Sequence, residues 1–317
     1  MSKRVLVTGA GGFVCTHVVQ ALLGHGWQVT ALDRVIPEDL QSSWDSQWPG
    51  QIQCIEGDHH ALPDAPFDAV VHGAAITASA SERGESPIAN LEANIQPLLA
   101  VLDWSARQQV KRTVLVSSTG VFQRTAAGVV NEDIPPSPIG MYAIAKQMSE
   151  LLAETLRQQH QQDVVAVRLG NIYGSGDWPR PTRPRVSLVA RLVRQAVQSG
   201  VIQVYTPDER RDWTFAPDIG DCIHNLLAAP RLEHSLYQLI GPEVLSTLEV
   251  ATYIQRALPG TELVIHPQSE PGIPPLTRLG TFSGARFERE LEFVHWTPFS
   301  SAIGAVIAEH QQQMEAV

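Results

Sequence analysis

Through the first 170 positions, short apolar runs alternate with longer amphipathic stretches. Val5–Thr8, Gln28–Leu32, Ile52–Glu56, Ala69–His72, Thr113–Ser117 and Val164–Arg168 read as strands. They are nearly continuous apolar runs, the pattern of strands covered on both faces. Helical spacing runs over Phe13–Leu23, which Gly24 and Gly26 stop, and over Pro87–Arg107 and Met141–Gln161. Strand and helix in alternation predict a parallel sheet, and right-handed crossovers make it doubly wound. The predicted class is α/β.

The texture changes after residue 170. Glycine and proline crowd Tyr173–Arg185, which reads as loop. A helix comes next over Ser187–Gln198, and proline breaks the chain again at Pro267–Pro275. This half predicts a smaller, mixed α/β C-terminal substrate domain. The boundaries expected are 1–170 with about 214–241 for the nucleotide-binding domain, and about 171–213 with 242–317 for the substrate-binding domain. His310–Gln313 reads as the solvated end of a terminal helix, and Trp44 and Trp48 as loop residues that either cover a pocket or pack.

Charge narrows the partners. The 317 residues carry 23 Lys+Arg against 33 Asp+Glu, a net charge of −10. Such a chain lacks the basic footprint of a nucleic-acid binder, and anionic membranes repel it. Three widely spaced cysteines, Cys15, Cys54 and Cys222, argue against a disulfide framework or zinc cluster and for a reducing compartment. The first strand breaks at glycines, so neither signal peptide nor anchor is expected, and the expected location is cytoplasmic. His59 and His60 suggest a metal at first sight, but no carboxylate or cysteine at ligand spacing is read beside them, and no metal is expected.

Val5–Thr8 runs directly into Gly9-Ala10-Gly11-Gly12-Phe13-Val14-Cys15 and then a helix. A glycine-rich turn between strand and helix lets the backbone approach a pyrophosphate seated on the helix N-terminus, the Rossmann-type arrangement. Asp33 stands at the end of the second strand, where a carboxylate bonds the adenosine ribose and repels a 2′-phosphate. The expected cofactor is NAD. Arg34 is the feature that would instead accept the phosphate of NADP.

From Thr8 to Val14 the chain resembles the TGxxGxxG motif of the extended short-chain dehydrogenase/reductases, the NAD-dependent epimerase/dehydratase family. Cys15 replaces the motif's last glycine, for which a slight shift of the helix is expected. Further matches come in the family's order. Gly57-Asp58, with His59 beside it, resembles the pair at the adenine. His72-Gly73-Ala74-Ala75 resembles the turn lining the cofactor. Asn94 resembles the asparagine that supports the active-site helix. Arg168-Leu169-Gly170-Asn171-Ile172-Tyr173-Gly174 resembles the segment where nicotinamide and substrate meet, and Arg211-Asp212-Trp213 with Asp218 resembles a substrate-domain stretch. The resemblance covers nearly the whole chain and is densest through residue 220.

Tyr142 and Lys146 are four apart on a predicted helix and so share one face. A nearby ammonium favours the phenolate, which makes Tyr142 a general base for an alcohol proton. The resemblance implies that Lys146 also bonds the nicotinamide ribose. In Val116–Phe122, aligning Val121-Phe122 with the family's Val-Tyr puts Ser118 on the catalytic Ser/Thr, with Thr119 as the alternative and Ser117 a strand-end residue. Sugar 4,6-dehydratases of the family carry an Asp-Glu pair where Thr119 and Gly120 stand here, so a dehydratase is not expected.

An epimerase or a plain dehydrogenase acting on a sugar, nucleotide sugar or sugar acid is expected, the second including small non-nucleotide substrates. A non-catalytic NAD(P)-sensing protein is the reading from a different class. Thr77, Ser118, Thr119, Asn171, Arg185 and Arg211 are the expected substrate contacts, with Arg180, Arg183 and Arg185 supplying local positive charge. The resemblance also implies a homodimer built on the helices containing Asn94–Arg107 and Met141–Gln161.

Overall fold

The computed structural model describes residues 2–122, 128–270 and 280–315. Seven strands form the central sheet: β1 (Arg4–Thr8), β2 (Gln28–Asp33), β3 (Ile52–Glu56), β4 (Ala69–His72), β5 (Arg112–Ser118), β6 (Val164–Leu169) and β7 (Leu236–Leu239). Their order is β7-β6-β5-β4-β1-β2-β3, and every neighbouring pair is parallel. Except in β3, their side chains are almost all buried, as the apolar runs predict. The order turns around between β1 and β4. Doubly wound sheets bind ligands at this switch point, outside the carboxyl ends of the strands.

The flanking helices are α1 (Phe13–Gly24), α2 (Glu38–Gln47), α3 (Pro87–Arg107), α4 (Met141–His160), α5 (Leu188–Ser199), α6 (Ala216–Ala228), α7 (Thr247–Ala257), α8 (Ala285–Leu291) and α9 (Phe299–Glu315). On one face, α1 packs closely on α6. A Cβ on Gly220 would stand 2.6 Å from that of Ala21 and 2.7 Å from the His17 carbonyl, so only glycine permits this approach. On the other face, α3 and α4 cover β4, β5 and β6 through Leu98, Leu102, Leu115, Ala153 and Ala166.

A second apolar core lies among α5, α7, α9 and the parallel pair Val201–Tyr205 and Glu262–His266. Among the described residues, no helix is long and apolar enough to cross a membrane.

Two expectations need correction. Trp44 lies within α2, not a loop, and is fully buried in the main core. His310 is buried too, its ring centre 4.4 Å from that of Trp178 in a tilted contact, while Gln311–Gln313 are exposed. The proline break expected at Pro267–Pro275 lies partly outside the described residues.

Candidate active site

The turn after β1 is shaped by what its glycines touch. A Cβ on Gly9, whose φ is +72°, would stand 2.6 Å from the Ala74 backbone, and one on Gly12 would stand 2.9 Å from the Gly9 carbonyl. The turn after β1 and the turn after β4 therefore lie against each other at the switch point. Below them, the Thr8 hydroxyl and His72 Nδ1 are 2.7 Å apart. Burial holds the His72 imidazole far below its usual range, at about 3.

Cys15 takes the place of the motif's last glycine without opening the packing. Its sulfur fills the space where a Cβ on Gly73 would sit, only 2.1 Å away. Glycine at 73 thus makes room for the larger residue at 15. Burial pushes the Cys15 thiol up to about 12, so it is a packing group and not a thiolate at neutral pH.

The N-terminus of α1 has no capping side chain and no acidic residue in its first turn. Its leading N–H groups lack helical partners, and the helix dipole adds positive potential. Gly12, Phe13, Val14 and Cys15 present this end to a cavity of about 240 Å³. The residues fit a dinucleotide pyrophosphate: close-approach glycines, an uncapped helix end and no competing carboxylate. Asp33 accepts from the backbone N–H of Gly11 at 3.0 Å and of Arg34 at 2.7 Å. Burial raises its carboxyl pKa, and these bonds work against that rise.

The opposite wall of the cavity carries Ser118 from β5 and Tyr142 and Lys146 from α4. Lys146 is buried; its Nζ donates to the Val116 carbonyl at 2.7 Å and lies 5.6 Å from the Tyr142 ring centre. Burial lowers its pKa to about 8. Tyr142 departs from expectation. Burial raises its phenol pKa, against a hydrogen bond with Ser118 and the charge of Arg183, which lower it. Ser118 also accepts the Gly120 N–H at 3.0 Å.

Most predicted site residues meet here. Gly9, Gly12, Phe13, Val14, Gly73, Ala75, Thr77, Ser118, Tyr142, Lys146, Leu169 and Gly170 all line the cavity. Arg34 and Asp58 line a separate, open recess of about 520 Å³ with Glu56, Gly57, His60 and Ala61. There His60, not His59, faces the recess. Asp58 also supplies the carboxylate that the spacing did not reveal: ligand atoms of Asp58, His59 and His60 lie within 4.8 Å of one another.

Other residues stand elsewhere. Asn94 braces the turn after β4, accepting from Ile76 N–H at 2.9 Å and donating to its carbonyl at 3.3 Å, so it supports that turn and not α4. Thr119 is buried outside the cavity lining. Asn171 donates its backbone N–H to buried Asp212 at 3.0 Å and its amide at 3.2 Å. Arg211 pairs with Glu209, and Arg185 pairs with Glu82 at 2.9 Å with its side chain largely exposed. None of these residues lines the cavity. Instead, Cys15, Val116, Ser117, Ile172, Arg180, Thr182 and Arg183 do. The cluster of loop arginines was visible in the sequence, but the members that face inward were not.

The model of the NAD dependent epimerase/dehydratase family matches residues 5–239. A dTDP-glucose 4,6-dehydratase from Streptomyces niveus is 28% identical, covering 85% of this chain and 82% of that protein. A UDP-glucose 4-epimerase from Azospirillum brasilense is 25% identical, covering 96% and 90%. The crystal structure of the UDP-glucose 4-epimerase from Bifidobacterium longum in complex with NAD+ and UDP superposes with a TM-score of 0.81 at 18% identity, covering 99% of both chains, and so shares the fold. With a dehydratase among the relatives, the expectation against dehydratase chemistry loses its support.

Proposed function

Because the chain belongs to the NAD-dependent epimerase/dehydratase family, we propose that it oxidises a hydroxyl-bearing carbon of a nucleotide sugar with NAD as cofactor. This oxidation is the step that epimerisation and dehydration share, and it is compatible with either outcome. The observation that carries the reading is one cavity that holds the glycine turn, the uncapped α1 N-terminus, Ser118, Tyr142 and Lys146.

In this reading Gly9, Gly12 and the first turn of α1 hold the pyrophosphate, and Asp33 holds the adenosine ribose. When bound, NAD supplies the hydride acceptor and, when oxidised, a positive charge near Tyr142. Tyr142 takes the proton of the sugar hydroxyl, and Ser118 holds the same oxygen by hydrogen bond. Such a charge would oppose the burial that raises the Tyr142 phenol pKa. Lys146, fixed by the Val116 carbonyl, adds positive charge and would be the residue to hold the nicotinamide ribose. On return of the hydride, Tyr142 gives its proton back to the forming alkoxide.

A homodimer through α3 and α4 belongs to the same proposal. Ile88 and Leu99 on α3 and Leu151 on α4 are 60%, 48% and 55% exposed, an apolar load that a partner's identical helices would cover.

The test is direct. The purified protein is incubated with NAD and a panel of UDP- and dTDP-hexoses, and sugar products are resolved by NMR. Conversion of a nucleotide sugar is expected, with no conversion of the free sugars. Conversion of free sugars or sugar acids alone would overturn the nucleotide-sugar assignment.

A further inference from the structure

The loop between Gly174 and Ser187 crosses over the cavity and is fastened at several points. His17 Nε2 lies 2.8 Å from the Ser175 carbonyl, and the Gly176 N–H donates to the Glu309 carboxylate at 2.8 Å. Within it, Arg180 and Arg183 exchange backbone hydrogen bonds, Arg180 N–H to the Arg183 carbonyl at 3.0 Å and the reverse at 2.9 Å. In such a hydrogen-bonded antiparallel pair the two side chains leave on the same side. The tip is pinned across the cavity, where the Thr182 carbonyl accepts from Thr77 and Ala78 N–H at 3.0 and 3.2 Å.

Both arginines line the cavity that holds the glycine turn. Arg183 lies with its guanidinium carbon 5.1 Å from the centre of the Phe13 ring, over the first residue of α1. It is oriented by a pair with fully buried Asp177, whose other oxygen accepts the Ser187 N–H at 2.8 Å. Arg180 is half-buried, and among the described residues it pairs with no carboxylate.

Resting on the NAD reading, we infer that Arg180 and Arg183 form the second half of the pyrophosphate site, closing on the dinucleotide diphosphate from the side opposite the glycine turn. Position selects the cofactor's diphosphate over the substrate's. Arg183 lies over Phe13, the first residue of α1, beside the uncapped helix end, and Arg180 lines the same cavity next to it. Together they bracket the middle of the dinucleotide, above the α1 N-terminus. Two charge-assisted contacts there offset a local charge that a chain of net charge −10 otherwise disfavours.

The test is calorimetric titration of the full-length protein with NAD, ADP-ribose, adenosine and UDP. Arg180→Met is expected to weaken NAD and ADP-ribose by about tenfold or more, the scale of a lost hydrogen bond to a charged group, and to leave adenosine and UDP unchanged. High salt should weaken ADP-ribose binding more in the wild type than in the variant. Arg183→Lys, which keeps the pair with Asp177, should weaken ADP-ribose by a smaller factor. An unchanged ADP-ribose affinity in Arg180→Met, or a loss confined to UDP, would overturn the inference and leave the NAD reading standing. Equal losses of adenosine and ADP-ribose would also overturn it. Failure of the wild type to bind NAD at all would instead overturn the reading beneath it.

Discussion

Glu150 and Arg168 form a two-point ion pair inside the protein, with Arg168 Nε 2.9 Å and Nη2 2.8 Å from the two carboxylate oxygens. Ser117 Oγ donates to the same carboxylate at 2.6 Å. Glu150 stands one helical turn beyond Lys146 on α4, so the pair bolts the helix carrying Tyr142 and Lys146 to the ends of β5 and β6. Both side chains are almost fully buried. Removing one member leaves the other charged and unpaired, which costs about 3–5 kcal/mol. Glu150→Ala is expected to lose that much stability in urea titration, and kcat is expected to fall with it. A loss below about 1 kcal/mol would show that the pair does not anchor the helix.

That pair also shows where sequence reading reaches its limit. The strand at Ala69–His72 and the helix at Pro87–Arg107 were legible to the residue, because a continuous apolar run and helical spacing report local burial. Tyr142 and Lys146 could be placed on one helix face by their spacing, whereas Ser118 was picked out only by the family resemblance, and all three line one cavity. The partner of Glu150 lies 18 residues away on a strand, and no local period signals it. The same holds for the loop arginines. Arg180, Arg183 and Arg185 look alike in sequence, and only the turn geometry and the Glu82 contact send the first two inward and the third to solvent. Trp44 was misplaced because α2 has a polar mean composition and one deeply buried face residue, too weak a pattern to separate from a loop.

The fit of Cys15 against Gly73 predicts a coupled pair. Gly73→Ala puts a methyl group where the Cys15 sulfur already sits, and overpacking of this kind costs about 1–3 kcal/mol. Adding Cys15→Gly removes the obstacle. The double variant is expected to be more stable than Gly73→Ala alone by at least about 1 kcal/mol in a double-mutant cycle. Simple additivity of the two changes would contradict the packing account.

Asp33 sets the expected choice of dinucleotide. Its carboxylate is held by the Gly11 and Arg34 backbone N–H groups. Asp33→Ala is expected to weaken NAD by about tenfold and to improve NADP, because the group that repels a 2′-phosphate is gone while Arg34 remains. Titration with both dinucleotides checks it. An unchanged preference would move the ribose contact to another residue.

The exposed apolar residues of α3 and α4 predict the assembly state. Leu99→Glu with Leu151→Glu is expected to convert a dimer to a monomer in light scattering while leaving the far-ultraviolet spectrum unchanged. A wild type that is already monomeric would contradict the proposed interface.

The most direct test of the central claim monitors nicotinamide reduction in single turnover. NAD-loaded wild-type protein, mixed with a nucleotide sugar that it converts, is expected to show transient absorbance of the reduced nicotinamide. Tyr142→Phe is expected to bind NAD with wild-type affinity and to lose the rate of that transient by about 10²-fold or more. A Tyr142→Phe protein that reduces its cofactor at the wild-type rate would contradict the account.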